Sequence, residues 1–449
     1  MSGRKRFVIV GGGASGVLLA AQLLRSADPA LRVALVEKSG AFGRGLAYST
    51  TLDAHVLNVG AHNMSAFADD PDHFRRWLAG RGIEPAPGRP LFAPRRLYGD
   101  YLGDIAARLA EREPVRLTLL HGEAVSVARA GPGVTVGLAG GSALEADAAV
   151  LAAGHDPQPG NFAFAVRRGE PADTPLPPDA PVLILGAGLS MVDAWLGLKA
   201  QGHAGPVFVL SRRGLLPRPH LGALPSPLQD IDVPLGASPA RFLRWLRGLA
   251  RAHEAAGGGW QDALDGLRPF NQRIWQAWSI EERRRFLRHA KAFWDVHRHR
   301  LAPQLHARLT KALESGALRL VAGRIGDVRQ TPDGLAVSLR KRPTGGRGTI
   351  ETEELRVARI YDCTGVVRDL GSGSLAVARA LIGNGLARTD PLRLGLDVTT
   401  QCALVDASGA ASDRIFALGP LTRGVFFEIE AVPDIRVQAA RLAALLTAG

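Results

Sequence analysis

Two short glycine-containing stretches have the residue types and spacing to grip phosphate groups. The first is Gly11-Gly12-Gly13-Ala14-Ser15-Gly16, directly after the aliphatic run 7–10 and directly before an Ala- and Leu-rich helical pattern. In that strand–turn–helix context Gly11 permits the tight turn, Gly13 lets the backbone approach a pyrophosphate with no Cβ in the way, and Gly16 allows close packing of helix on strand. The helix start offers unpaired amides and the positive end of its dipole to the phosphates, placing Ala14 and Ser15 at the ligand. Glu37 ends the next aliphatic run, 26 positions after Gly11. A carboxylate there accepts hydrogen bonds from both hydroxyls of a ribose, with Lys38 beside it.

The second stretch is Gly186-Ala187-Gly188-Leu189-Ser190-Met191, again between a strand-like and a helix-like run, but with Met at its sixth position. Arg212, followed by Arg213, stands 26 positions after Gly186, the offset that Glu37 has from Gly11. A carboxylate would repel a ribose 2′-phosphate, whereas a guanidinium pairs with it. Gly186, Gly188, Ser190, Arg212 and Arg213 therefore predict a site for NADPH rather than NADH. The bland alternative is a pair of solvated arginines. Met191 raises the question whether the helix is shifted enough to weaken this site.

These turns need parallel sheets to hold them. Aliphatic runs at 7–10, 31–36, 182–185 and 207–210 alternate with helical patterns, the signature of βαβ units, and the pattern starts twice. A proline-rich linker, 157–181, separates the two starts, and strand-like patterns return at 318–321 and 359–362. Residues 214–306 read as a loop and several helices, one capped by Ser279 and Glu282, and 433–446 as a closing helix. The predicted fold is α/β, with two Rossmann-like dinucleotide-binding domains, the second nested in the first. Residues 1–165 and 357–449 form the first domain, and 178–356 the second, with its helical insertion at 214–306.

A chain of 449 residues, 46% hydrophobic, can bury more than one core. The net charge of +13 is spread out, with no long basic tract, so nucleic-acid binding is not expected. Cys363 and Cys402 form no CxxC, which argues against a disulfide framework, a zinc site or a dithiol centre and fits a reducing cytoplasm. The start resembles a signal peptide, but its glycines interrupt the apolar run, and no 20-residue apolar run offers a membrane span. Asp295, His297 and His299 alternate and so do not share a helix face; no metal site is expected.

Further stretches carry a family resemblance: 43–50 (GRGLAYST), 55–59 (HVLNV) with Met64, 211–217 (SRRGLLP), 294–300 (WDVHRHR) and 362–365 (DCTG). Together with the turns they resemble the bacterial FAD-NAD(P)-binding protein family, similar in layout to flavin-dependent N-hydroxylating monooxygenases. The resemblance implies FAD at the first turn, with Gly11, Gly13, Ser15, Gly16 and Glu37 on its ADP half. It places Arg44, Gly45, Leu57, Asn58 and Met64 near the pyrophosphate, ribityl chain or flavin ring. By the same resemblance, Ala153 and Gly154 would end a strand crossing beside FAD, Gly365 would end its counterpart, and Gly419 and Pro420 would end the strand that meets the flavin side. Many relatives have Asp where Pro420 stands.

FAD beside NADPH permits hydride transfer, the protein supplying orientation and electrostatics. With dioxygen, reduced flavin would hydroxylate a small polar substrate in the manner of an N-hydroxylase. The other readings are a reductase or dehydrogenase without oxygen insertion, an RNA-associated flavoprotein and a noncatalytic FAD-bound scaffold. Catalytic candidates are Asn58, as a hydrogen-bond partner for flavin or nicotinamide or merely a loop-fixing residue, and His297 with Arg298, as an anion or peroxide site or a solvated helix end. The insertion holds five of seven tryptophans, which form either a substrate-pocket wall or a small core.

Overall fold

The computed structural model describes residues 5–155, 164–167, 175–222, 227–342, 351–365 and 370–448. Pro157, Pro159 and Pro171 of the expected linker lie outside them. Arg6–Val10 sits at the centre of a six-stranded sheet ordered Ala403–Val405, Ala411–Ala417, Ala148–Leu151, Arg6–Val10, Arg32–Glu37 and Leu117–His121. All neighbours run parallel except the first pair. The apolar runs of Arg6–Val10 and Ala148–Leu151 are continuous rather than alternating because both faces of a parallel sheet are covered. Phe7, Val8, Ile9 and Val10 are each 5% exposed or less. Helix Ala14–Leu23 leaves the first turn and packs against the closing helix, Val432–Thr447.

The second sheet repeats this plan in the order Glu351–Val357, Gly334–Lys341, Leu318–Thr331, Val207–Ser211, Val182–Leu185, Arg359–Asp362 and Ala165–Arg167. Val182–Leu185 is flanked in parallel by Val207–Ser211 and Arg359–Asp362, as Arg6–Val10 is by Arg32–Glu37 and Ala148–Leu151. Ala165, the end of the expected 1–165, and Arg359–Asp362, within the expected 357–449, were placed in the first domain but hydrogen-bond into the second sheet, Ala165 as part of Ala165–Arg167. Runs of three or four residues carry too little pattern to name their sheet, and only their pairing partners decide between the two. A separate three-stranded sheet, Ala124–Ala130, Gly133–Leu138 and Ala143–Ala146, lies within the first half.

The insertion is helical from Pro239–Ala255 through Lys291–Arg298, and its last helix, Pro303–Glu314, runs past the expected end at 306. The Ser279 cap is present: its Oγ accepts from Glu282 N at 3.2 Å, and Glu282 Oε2 accepts from Ser279 N at 2.9 Å. Trp275, Trp278 and Trp294 are 0%, 4% and 6% exposed and form a core with Phe242, Phe270 and Phe286. The core reading therefore holds for these three, and the pocket-wall expectation does not. Phe427 stacks on Trp275 at 4.6 Å and Leu392 and Leu394 join the cluster, so the insertion is docked on the C-terminal part of the chain.

Candidate functional site

The first turn is built so that two of its glycines are required by the backbone packing and one leaves open space. Gly11 has φ +108°, donates its amide to Val36 O at 2.8 Å, and would press a Cβ to 2.7 Å from Ala152 O. Gly16 would place a Cβ 1.9 Å from Gly11 O. Gly13 is different: its φ is an ordinary −71°, and an added Cβ would meet only Gly45, at 3.4 Å from its Cα. That open space, in front of a helix start with no side-chain cap and no acidic residue in its first turn, fits a pyrophosphate.

Distant segments converge on this cradle. Gly43 N donates to Gly12 O at 2.7 Å and brings Gly45 beside Gly13. Gly419, with φ +72°, packs so closely on Ser15 that a Cβ would lie 2.4 Å from its Oγ, and Gly419 N is held by Gln438 Oε1 at 2.9 Å. Pro420 follows, buried, in the turn Gly419–Thr422. Ala152 backs Gly11, and Ala153 and Gly154 continue past it, Gly154 at φ +71°. Glu37 is 9% exposed; its Oε2 accepts from Gly12 N at 2.8 Å, and its Oε1 from Ser39 N at 3.0 Å and Ser39 Oγ at 2.8 Å. These bonds fix the carboxylate at the turn while leaving lone pairs for a ribose. Lys38 is exposed, and Arg44 is paired with Asp100 at 2.5 Å.

Leu57 and Met64, expected near the ligand, are 3% and 2% exposed, and their side chains sit in the first-domain core. Of their neighbours, Asn58 is half-buried and Asn63 is exposed. The carbonyl of Asn58 accepts from His220 Nε2 at 2.8 Å.

The second turn copies the first. Gly186 has φ +96°, donates to Leu210 O at 2.8 Å and backs onto Cys363 O, 2.4 Å from an added Cβ. Helix Leu189–Ala200 starts three residues after Gly186, as Ala14–Leu23 starts three after Gly11. The residues before them match as well: Gly188 has φ −87° and ψ −165°, Gly13 φ −71° and ψ −164°. A Cβ on Gly188 would meet nothing within 4 Å. Met191 leaves this geometry unchanged because its side chain is fully buried, in the cluster that holds Val182, Ile184 and Trp195. Ser190 O faces Cys363 Sγ at 3.5 Å, and Gly365 ends the adjoining strand exit at φ +135°. Arg212 is exposed, and Arg213 lies 4.6 Å over the Phe293 ring.

Arg298 is neither a free anion site nor a solvated helix end. Its Nε donates to Glu428 Oε2 at 3.1 Å, with the two side chains 11% and 7% exposed. Glu428 also accepts from Trp294 Nε1 and Asn271 Nδ2, both at 2.7 Å. Burial pushes the Glu428 carboxyl up, but Arg298, His299 and Trp294 outweigh it and hold it below its ordinary range. The pair ties the insertion to the C-terminal segment. His297 turns Nδ1 to Phe293 O at 2.7 Å and meets Trp260 edge-on at 4.9 Å, contacts internal to the insertion.

A charged group that spacing does not reveal lies beyond the ends of Ala148–Leu151 and Ala411–Ala417. His155 Nε2 is 3.7 Å from Glu430 Oε1, which accepts from Arg423 at 2.7 Å. Burial raises the Glu430 carboxyl, but Arg423, His155, His299 and Lys291 bring it down to about 2. The only sequence signal was the position of His155 directly after Ala153-Gly154. A cavity of about 770 Å³ lies between the insertion and the closing helix, lined by Arg268, Asn271, Phe427, Glu428 and Arg436. Among the described residues no group of three or more His, Cys, Asp or Glu could hold a metal, and no helix is long and apolar enough to cross a membrane.

Residues 8–156, the stretch that holds the first turn and Glu37, match the family model described as FAD-NAD(P)-binding. This part of the chain is an FAD-NAD(P)-binding domain. An uncharacterised protein of Mycobacterium tuberculosis is 23% identical over 94% of this chain and 90% of its own. The FAD-bound cadaverine monooxygenase of Erwinia amylovora superposes with TM-score 0.66 at 13% identity, covering 100% of this chain and 95% of that one. The ornithine N-hydroxylase of Kutzneria sp. 744, with reduced FAD, NADP+ and L-orn, gives TM-score 0.63 at 15% identity over 99% of both chains. The FAD-NAD(P)-binding domain and the nested second sheet together therefore have the fold of these two enzymes.

Proposed function

We propose that this protein is an FAD-dependent NADPH oxidoreductase, a flavin monooxygenase that hydroxylates a small polar amine. The observation that carries the reading is the duplicated turn: two open glycine cradles of matching conformation, one followed by a buried carboxylate and the other by an exposed arginine. The likeness in fold to the cadaverine and ornithine enzymes supports the amine as substrate and dioxygen as co-substrate.

In this reading Gly13, Ala14 and Ser15 hold the FAD pyrophosphate, with Gly45 and Gly419 closing the cradle, and Glu37 takes the ribose hydroxyls. Gly188 and the start of Leu189–Ala200 hold the NADPH pyrophosphate, Arg212 takes the 2′-phosphate, and Arg213, steadied on Phe293, stands beside it. Glu37 lies on the side of Arg32–Glu37, so the ribityl and flavin end of the ligand extends the other way, past Ala153, Gly154 and Pro420. Asn58 offers its side chain there. Held by these residues, the flavin would supply two-electron redox chemistry between NADPH and dioxygen. The overall balance is NADPH, H+, O2 and an amine giving NADP+, a hydroxylamine and water. Arg298, paired to Glu428, acts as a tie between parts of the fold and not as a substrate ligand.

The test is purified protein mixed with NADPH under oxygen and a panel of amino acids and diamines. Oxygen uptake matching NADPH use, with a product 16 mass units heavier than one amine, is expected. NADPH use with hydrogen peroxide or a reduced acceptor as the sole product under every amine would replace the monooxygenase with a reductase or oxidase.

A further inference from the structure

The loop 55–58 ends in Asn58, and groups from both domains hold it. Arg95, at the start of helix Arg95–Arg112, donates its amide to His55 O at 2.8 Å and its Nε to Val56 O at 3.0 Å. Its NH1 reaches Asp193 Oδ2 at 2.6 Å, a pair with side chains only 9% and 6% exposed. Asp193 is the fifth residue of Leu189–Ala200, the helix that starts at the second cradle. The carbonyl of the same Asp193 accepts from His55 Nε2 at 2.9 Å, and His55 Nδ1 in turn accepts from Thr50 Oγ1 at 2.7 Å. Leu57 N is held by Ala93 O at 2.8 Å.

The last residue of the loop is gripped separately. His220, from the segment after Arg212-Arg213, donates Nε2–H to Asn58 O at 2.8 Å. Burial, helped by Arg300, pushes this imidazole down to about 4, so at neutral pH it is an uncharged donor with a set tautomer. The segment is rigid: His220 N bonds Leu301 O at 2.8 Å, and Gln261 clamps Pro219 O at 2.9 Å and Leu221 N at 3.0 Å. Phe92 belongs to the same buried cluster as Met191 and Trp195 of Leu189–Ala200, and Ala54 and Val56 pack against that cluster. Ala54 and Val56 thus pack on the second domain's core while Leu57 lies in the first domain's, so that 54–58 bridges the two.

We propose that this loop couples the two nucleotide sites, with His220 and Asp193 as positioning residues that set Asn58 at the flavin according to whether the second cradle is filled. The inference rests on the assignment of the cradles made above. Interior contacts of this density do not stretch, so a small shift of Leu189–Ala200 on binding its nucleotide moves Asp193 and with it the loop. Reciprocity then requires that each nucleotide change the affinity for the other by one and the same factor.

The experiment titrates FAD into deflavinated full-length protein, following flavin fluorescence, with and without saturating NADP+. In parallel, amide hydrogen exchange is followed across 55–58 upon addition of NADP+ alone. The unsubstituted protein is expected to show a change of at least fivefold in FAD affinity, and slower exchange at 55–58. In His220→Phe, which keeps the ring and removes the donor, the ratio should fall below twofold; His220→Gln, which restores a donor, should recover it. Asp193→Asn provides the same readout at the helix end should His220→Phe fail to fold. FAD and NADP+ both binding, with no coupling in the unsubstituted protein or with coupling intact in the folded variants, would overturn this inference alone. Absence of FAD binding would instead bring down the cradle assignment, and this inference with it.

Discussion

Replacing Gly13 by Ala separates binding from folding more cleanly than any other change in the first cradle. At φ −71° and ψ −164° the backbone accepts a side chain without strain, and the new Cβ would have Gly45 Cα at 3.4 Å and Gly45 N at 3.8 Å as its neighbours, ordinary contacts. The stability of the FAD-free protein should change by less than about 1 kcal/mol. The methyl would occupy the space where phosphate oxygens meet the helix amides. Losing two charge-assisted amide bonds at about 1.5 kcal/mol or more each removes about 3 kcal/mol, two decades of FAD affinity. Gly16→Ala makes the contrast, because its Cβ would fall 1.9 Å from Gly11 O, backbone that no rotamer change can move aside. That overlap should cost about 3 kcal/mol of folding stability. Urea midpoints of the FAD-free proteins and fluorescence titrations with FAD measure the two effects separately. FAD affinity within fivefold of the original in a well-folded Gly13→Ala protein would refute the cradle, and an undiminished urea midpoint for Gly16→Ala would refute the steric account.

Three further outcomes follow from the same geometry. Arg212→Ala should lower the preference for NADPH over NADH, as the ratio of kcat/KM values, by about 10- to 100-fold through loss of one charge-assisted contact; an equal loss with both nucleotides would mean that Arg212 does not read the 2′-phosphate. Arg298→Met leaves Glu428 charged and enclosed beside Trp294 and Asn271 and should cost about 3–5 kcal/mol, seen as a lowered Tm; an unchanged Tm would remove the tie assigned to this pair. His220 is held at about 4, below the ordinary 6.5, so the unfolded chain takes up its proton first as pH falls. Its contribution is therefore full above pH 6.5 and is lost between 6.5 and 4, on the order of 2 kcal/mol given its partial exposure; urea midpoints of the original and of His220→Phe should converge at pH 4, and parallel curves would contradict this.

Both cradles were legible because the requirement for glycine is local. A bend at φ +108° or +96° favours glycine whatever surrounds it, and the strand before and helix after it are set by neighbouring residues; the backbone of Ala152 and Cys363 pressing on each bend is a tertiary addition. The equal offsets of Glu37 and Arg212 have the same origin, since Glu37 ends the strand that follows its turn and Arg212 comes directly after the end of the corresponding strand. The meaning of Met191 was not legible. A larger residue in the sixth position looked like damage to the turn, yet it fills a hydrophobic cluster, and the helix keeps its start.

The order of residues along the chain determined the two turns, the parallel strands, the Ser279 cap and the nesting of one unit in the other, all products of steric and hydrogen-bonding preferences acting over a few positions. Tertiary structure alone decided which sheet takes Arg359–Asp362, that Trp275, Trp278 and Trp294 form a core, and where the charges of the candidate site find partners. Arg298 meets Glu428 across 130 positions, and Arg95 meets Asp193 across 98. Burial makes such pairs necessary, because an ion removed from water needs a counter-charge, but which counter-charge arrives depends on how the layers pack, and spacing along the chain carries no record of it.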